Sequence, residues 1–194
     1  MSDKIPRKQQ ILESLAHELE KSPGERITTA GLAKAVGFSE AALYRHFASK
    51  AKMFEALISF AEDNVFSRIN RILEEEKSTQ VRCSNVLYLL LMFADKNPGI
   101  TRVLLGDALV GETERLRVRV DQFFNRLESQ FKQIFREAEI RDGLELSLPI
   151  DSASILLVSL IEGRMHQYLR THFKRSPVLQ WEEQWAVIQV GLFK

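Results

Sequence analysis

The sequence of 194 residues predicts an all-α protein of about nine helices. Apolar residues recur three and four positions apart in nearly every long segment, which is the spacing of one buried helix face. All five prolines fall at breaks between those segments, where a helix has to end. The one alternating stretch, residues 145–148, is too short for a convincing strand and precedes Pro149, so we predict a loop there.

The first predicted helix covers residues 7–21, with Pro6 in its first turn and Ser22-Pro23-Gly24 at its end. Apolar side chains at helical spacing form its inner face, which consists of Ile11, Leu12, Leu15 and Leu19.

Two short helices follow on a tight turn. Thr28 or Thr29 can cap the second helix, and Gly37 offers the left-handed conformation that ends it. Its predicted inward face is Leu32, Ala35 and Val36. Ser39 is a good N-cap for the third helix, on which Leu43 and Phe47 face inward. Two short helices on so tight a turn are typical of the helix-turn-helix that reads duplex DNA.

The remaining segments show longer helical patterns, each bounded by turn residues. We predict helices over about 49–77, 79–96, 106–139, 150–172 and 181–192, with a short helical turn over 100–105.

Charge supports a DNA-binding amino-terminal region. Residues 1–52 hold nine Lys and Arg against six Asp and Glu, whereas the whole chain carries a net charge of only +1. No acid lies between Glu40 and Glu55, but Arg45, Lys50 and Lys52 do. Lys50 lies where the long helix begins, so its ammonium and backbone N–H groups could meet one phosphate together. The alternative interpretation is a solvated surface turn.

The run TTAGLAKAVGFSEAALYRHFASKAKMF resembles the amino-terminal domain of TetR-type bacterial regulators. The resemblance continues through RINRIL (68–73), the helix 86–95 and NPGITRVLLGDAL (97–109), where it is specific to the nucleoid occlusion factors of that family. It implies a TetR-like fold with a three-helix DNA-binding domain over 1–52 and a larger helical dimerisation and partner-binding domain over 53–194. The predicted DNA-binding residues are Thr28, Thr29, Ser39, Glu40, Ala41, Ala42, Tyr44, Arg45, His46, Lys50 and Lys52.

The same resemblance implies a protein partner, the carboxy-terminal tail of the division protein FtsZ. The positions that would form its groove are Phe60, Asn64, Arg68, Leu89, Met92, Lys96 and Asn97. Met92 and Lys96 stand where the relatives are expected to carry glycine and arginine, so the groove would be narrower and a forked donor is replaced by a point charge. Ordinary packing between neighbouring helices is the alternative for these residues. The alternative function is a transcriptional repressor controlled by a small-molecule effector.

The last two helices are predicted to form a homodimer that reads a palindromic DNA site, and several dimers could share one site. The resemblance assigns the interface to apolar stripes on these helices, which include Leu156, Leu160, Trp181, Trp185 and Ile188. Packing of both tryptophans against the chain's own core is the alternative.

Nothing in the sequence indicates catalysis, a cofactor or a metal. Nucleotide-binding, metalloprotease and hydrolase motifs are absent, and the four histidines lack metal-ligand spacing. Glu162 and His166 lie four apart, and we interpret them as an ion pair or a satisfied interior histidine. The single cysteine, Cys83, fits a reducing compartment. With no apolar run near 18 residues and no signal peptide, we expect no membrane insertion and a cytoplasmic, nucleoid-associated bacterial protein.

Overall fold

Nine α-helices account for the fold of residues 6–194, which are the residues that the computed structural model describes, apart from the side chain of Asp142. In chain order they are α1 Arg7–Lys21, α2 Thr29–Val36, α3 Glu40–His46, α4 Lys50–Glu75, α5 Thr79–Lys96, α6 Pro98–Leu104, α7 Glu114–Asp142, α8 Ile150–Arg170 and α9 Trp181–Leu192. The all-α prediction is confirmed. The segment 145–148 is a loop, as expected, and it makes one isolated β-bridge from Leu146 to Phe193. None of the described helices is both long and apolar enough to cross a bilayer.

The predicted start of the seventh helix at Gly106 is wrong. Gly106 and Gly111 have left-handed φ angles of 77° and 78°, with a 3-10 turn, Asp107–Leu109, between them. Left-handed residues interrupt the α-helical hydrogen-bond ladder, so α7 begins only at Glu114. The left-handed φ of Gly111 disfavours residues with a Cβ atom at this turn, beside which the guanidinium of Arg26 lies.

The helices form two compact units. Unit 1 consists of the chain through Glu62 together with Asn97–Val120, and unit 2 consists of Asp63–Lys96 together with Asp121–Lys194. The predicted boundary at residue 52 divides the chain by function, into DNA-binding and partner-binding domains, and it stays a prediction.

Unit 1 is built around the approach of α6 to α1. At Gly99 a Cβ atom would lie 1.9 Å from the carbonyl oxygen of Ala16, so only glycine permits this approach. Arg102 is fully buried, and its guanidinium donates to the carbonyl oxygens of Leu19, Ser22 and Glu25 at 2.6–3.0 Å. An α6 arginine therefore satisfies carbonyl groups at and beyond the carboxy-terminal end of α1.

Unit 2 has an aromatic core and arginines that close helix ends. Phe123 packs edge-on against Phe66, with ring centroids 5.4 Å apart. Arg82, at the start of α5, donates 2.6 Å hydrogen bonds to the carbonyl oxygens of Leu73 and Glu76, where α4 ends. The α4–α5 connection is thereby fixed at residues 76–78.

Candidate functional site

Local caps build the turn between α2 and α3. The Thr28 hydroxyl accepts a hydrogen bond from the N–H of Gly31 at 3.0 Å, and the Ser39 hydroxyl accepts one from the N–H of Ala42 at 3.2 Å. Gly37 ends α2 in the left-handed conformation, with φ 74°, so that three residues suffice for the turn. Both predicted N-caps and the predicted glycine stop are confirmed.

The inner face of these helices holds the turn in place. Leu32, Ala33, Leu43 and Phe47 are all buried. Ala35 was expected to face inward, but it is exposed. At 100° per residue the buried side of α2 is centred between Leu32 and Ala33, and Ala35 points away from that centre.

The outer face of α3 presents hydrogen-bonding groups to solvent. Tyr44 is 45% exposed, and its hydroxyl lies 3.3 Å from that of Thr29, which links α3 to the first residue of α2. Glu40, Ala41 and Arg45 are exposed. Ala42 and His46 are half-buried, and the His46 ring lies 6.5 Å from that of Phe38. The structure thus brings these predicted residues onto one accessible helix and its flanking cap.

Lys50 and Lys52 each form an ion pair with a carboxylate of the same chain. The Lys50 ammonium lies 2.7 Å from Glu112, and the Lys52 ammonium lies 2.6 Å from Glu55. The hydrogen bond from Lys52, assisted by Arg115 at 3.4 Å, lowers the pKa of Glu55. The segment between Glu40 and Glu55 contains no acid, but the fold places two carboxylates beside its lysines. Glu55 comes from the next turn of α4, and Glu112 comes from the α6–α7 connection.

The residues predicted for a partner groove lie on α4, on α5 and just after α5. Phe60, in the middle of α4, is 46% exposed. Arg68 is exposed and donates at 3.0 Å to both the backbone and side-chain oxygens of Asn64, one turn earlier. On the second helix Leu89 and Met92 are half-buried, whereas Lys96 is exposed.

Asn97, the last of the predicted groove residues, belongs to a helix start. Its carbonyl oxygen accepts from the N–H and the hydroxyl of Thr101, at 2.9 and 3.0 Å, in the first turn of α6. Phe60 and Asn97 belong to unit 1, and the other five groove positions belong to unit 2.

Two of the predicted interface residues are buried within the single chain. Trp181 and Trp185 are only 5% and 8% exposed, and they stack with ring centroids 5.9 Å apart. Both side chains therefore pack within the chain, as in the alternative interpretation given above, and their place in a dimer interface stays a prediction. The stripe at positions 181, 185 and 192 faces the core of unit 2 because these residues lie on one side of α9.

Other apolar side chains lie exposed on α8 and on α9. Leu156 is exposed as expected, and Leu160 and Ile188 are half-buried. Ile155 on α8 and Val187 and Val190 on α9 are also exposed, although they were not predicted. The two valines lie three positions apart, on the side of α9 opposite the tryptophans, and this spacing could have identified the face from the sequence.

Two parts of the chain match known protein families. Residues 11–57 match the family described as bacterial regulatory proteins, tetR family. Residues 77–192 match the SlmA-like domain described as Tetracyclin repressor-like, C-terminal domain.

Similarity to individual proteins extends over the full length. The chain is 54% identical over 193 residues to a protein of Shewanella denitrificans named nucleoid occlusion factor SlmA, covering 100% of this chain and 98% of the relative. It is 56% identical over 185 residues to a protein of the same name from Colwellia psychrerythraea, covering 95% and 93% of the two chains.

Solved structures share the fold at low sequence identity. The MbdR regulator from Azoarcus sp. CIB superimposes with a TM-score of 0.80 at 14% identity, covering 95% of this chain and 97% of that one. FadR from Bacillus subtilis, solved in complex with stearoyl-CoA, gives 0.75 at 15% identity, with coverage of 95% and 99%. Both similarities concern the architecture alone.

Proposed function

This chain belongs to the SlmA family of nucleoid occlusion factors, which are DNA-binding proteins of the TetR type and not enzymes, and we propose that its DNA-bound dimer captures FtsZ. By holding the carboxy-terminal tail of FtsZ, the dimer antagonises assembly of the division ring over the nucleoid. The observation that carries this proposal is the full-length similarity to nucleoid occlusion factors, because TetR-type proteins diverge beyond their first three helices.

DNA reading is assigned to α3 and the caps around it. Tyr44 and Arg45 project from α3 with exposed hydrogen-bond donors, and Ala41 and Ala42 are small enough to allow close approach to base edges. Thr28, Thr29, Ser39, Glu40 and His46 surround this face. At the start of α4, Lys50 and Lys52 serve as phosphate contacts beside the helix N-terminus.

Dimerisation is assigned to the open apolar face of α8 and α9. Ile155, Leu156, Val187 and Val190 are exposed in the single chain, and covering such side chains in a two-fold interface removes apolar surface from water. Two DNA-reading helices in one dimer would then contact two half-sites of a palindrome. Several dimers on one site would follow from several adjacent palindromes.

FtsZ capture is assigned to the exposed side of α4 together with α5. Phe60, Asn64 and Arg68 follow at intervals of four residues along α4, so they lie on one helix face. Phe60 would bury an apolar side chain of the tail, and Arg68 would meet its acidic groups. On α5, Leu89 and Met92 would extend the apolar part of the groove, and Lys96 would extend its cationic part.

The test is inhibition of FtsZ polymerisation in the presence of specific DNA. Phe60→Ala with Arg68→Asp should abolish inhibition while DNA affinity stays within about threefold, well below 1.4 kcal/mol. Arg71→Asp is the matched control, because Arg71 is an exposed arginine of α4 that pairs with Glu75, four residues later. Full inhibition by the double variant, or equal loss in the control, would contradict the groove assignment.

An effector-controlled repressor is the alternative function. Effector cavities are enclosed and mostly apolar. A cleft of about 300 Å³ beside α8 is instead lined mainly by polar side chains, including Arg164, whose guanidinium donates to the carbonyl oxygens of Pro177 and Leu179. This cleft does not favour the alternative.

A further inference from the structure

The pairing of Lys50 with Glu112 bears directly on DNA binding. Their charged atoms are 2.7 Å apart, and the two side chains are only 20% and 12% exposed. Because both groups are largely shielded from water, the attraction between them is screened less than in an exposed pair. The phosphate contact assigned to Lys50 must therefore form in the presence of a competing anion that belongs to the protein.

The α6–α7 connection holds this carboxylate in place. Gly106 and Gly111 adopt left-handed conformations on either side of the 3-10 turn, and the N–H of Glu112 donates to the carbonyl oxygen of Leu109 at 3.0 Å. The guanidinium of Arg26 occupies the space beside Gly111. Glu112 is thus presented by a constrained turn, whereas a carboxylate on a loose loop could swing away at little cost.

Lys50 is also fixed from its own helix. It is the first residue of α4, and its ammonium lies 5.6 Å from the centre of the Phe54 ring, one turn later. The ring face attracts the cation and limits the directions in which it can turn. A phosphate at the start of α4 and the carboxylate of Glu112 would consequently share one ammonium group.

The ion pair of Lys52 differs from that of Lys50 in the number of cations that its carboxylate contacts. Glu55 has two cationic neighbours, Lys52 at 2.6 Å and Arg115 at 3.4 Å, so it keeps a partner when Lys52 turns to DNA. Among the described residues, Lys50 is the only cation paired with Glu112. Moving Lys50 onto a phosphate would leave the Glu112 carboxylate half-buried and without its ion pair.

We propose that Glu112 is an affinity-determining residue of DNA binding: it competes with the phosphate for Lys50 and so holds the affinity of the protein for DNA below what its cations alone would give. The inference rests on the phosphate role proposed above for Lys50. Glu112 acts through Lys50 and touches no DNA itself, so it is a positioning residue that sets the cost of engaging the duplex.

The test measures binding of the full-length protein to a fluorescein-labelled duplex that the wild type selects from a random-sequence pool. Glu112→Gln should tighten binding about tenfold for a dimer with two such pairs, which corresponds to 1.4 kcal/mol. Glu112→Asp keeps the negative charge, so its affinity for the duplex should stay close to that of the wild type. Glu114→Gln is the control, since it removes an exposed acid two residues away and should change affinity less than twofold.

A double variant shows whether the effect passes through Lys50. Lys50→Ala alone should weaken binding, and adding Glu112→Gln to it should bring no gain, because the competition has been removed. A gain in the Lys50→Ala background, weaker or unchanged binding by Glu112→Gln alone, or an equal gain with Glu114→Gln would each overturn the inference. Failure of the wild-type protein to select or bind any duplex would instead refute the proposed function.

Discussion

Arg102 provides the sharpest prediction of stability. Its guanidinium is fully buried, holds three carbonyl oxygens around the end of α1 and contacts Asp107 at 2.5 Å. Arg102→Met keeps an extended apolar stem but removes a donor from three carbonyls and one carboxylate; of these, the Ser22 carbonyl still accepts from the N–H of Glu25 at 3.1 Å. Each buried polar group that loses its partner costs about 1–3 kcal/mol, and removing one partner of a buried ion pair costs about 3–5 kcal/mol. Asp107 is partly exposed and can regain water, so the loss comes mainly from the carbonyls of Leu19 and Glu25, about 2–6 kcal/mol together.

Urea denaturation followed by far-ultraviolet circular dichroism measures this loss. Both tryptophans lie in unit 2, so their fluorescence serves as a second probe that reports on that unit. Arg102→Met should lower the stability seen by circular dichroism, whereas the same change at Arg117, an exposed arginine of unit 1, should alter it by less than about 0.5 kcal/mol. A loss below about 1 kcal/mol for Arg102→Met, with an unchanged m-value, would show that the buried hydrogen bonds do not stabilise unit 1.

Three further predictions follow from other sites. Gly99→Ala should lower the unfolding free energy by about 1–3 kcal/mol, because its methyl group would overlap a backbone carbonyl of α1, and a neutral result in thermal unfolding would refute that close approach. Leu156→Asp should shift sedimentation at micromolar concentration from dimer to monomer, whereas Ile140→Asp, on the exposed side of α7, should leave it unchanged; equal behaviour of the two would contradict the assigned interface. Burial raises the pKa of Glu162, and His166 opposes the shift, so ionising this carboxylate above its folded-state pKa lowers the free energy of unfolding. Glu162→Gln should therefore stabilise the protein at pH 7 by a small amount, and this gain should disappear below pH 4.5. A gain in stability that persists below pH 4.5 would be inconsistent with this cause.

Local signals explain why most of the fold was predictable. The caps at Thr28 and Ser39 and the stop at Gly37 are contacts between residues at most four apart, and the structure contains all three. The error at Gly106 has a local cause as well, because the apolar residues after it mimic a helix face while the two glycines adopt left-handed conformations.

Contacts between segments that are far apart in the chain could not be predicted from the sequence. The acceptors of Arg102 lie 77–83 residues away, and Glu112 lies 62 residues from Lys50, so spacing could reveal neither pairing. The stripe that contains Trp181 and Trp185 correctly indicated a buried face. Periodicity does not distinguish burial within one chain from burial against a second copy, so the sequence alone could not assign this stripe to one or the other.

The most direct test of the proposed function is binding of a fluorescently labelled FtsZ carboxy-terminal tail peptide to the purified protein, with and without a duplex that the protein selects. We predict saturable binding that is tighter with the duplex present, is lost in Arg68→Asp and is retained in Arg71→Asp. Absence of peptide binding in both conditions, in a wild-type protein that still binds its duplex, would contradict FtsZ capture and return attention to an effector-controlled repressor.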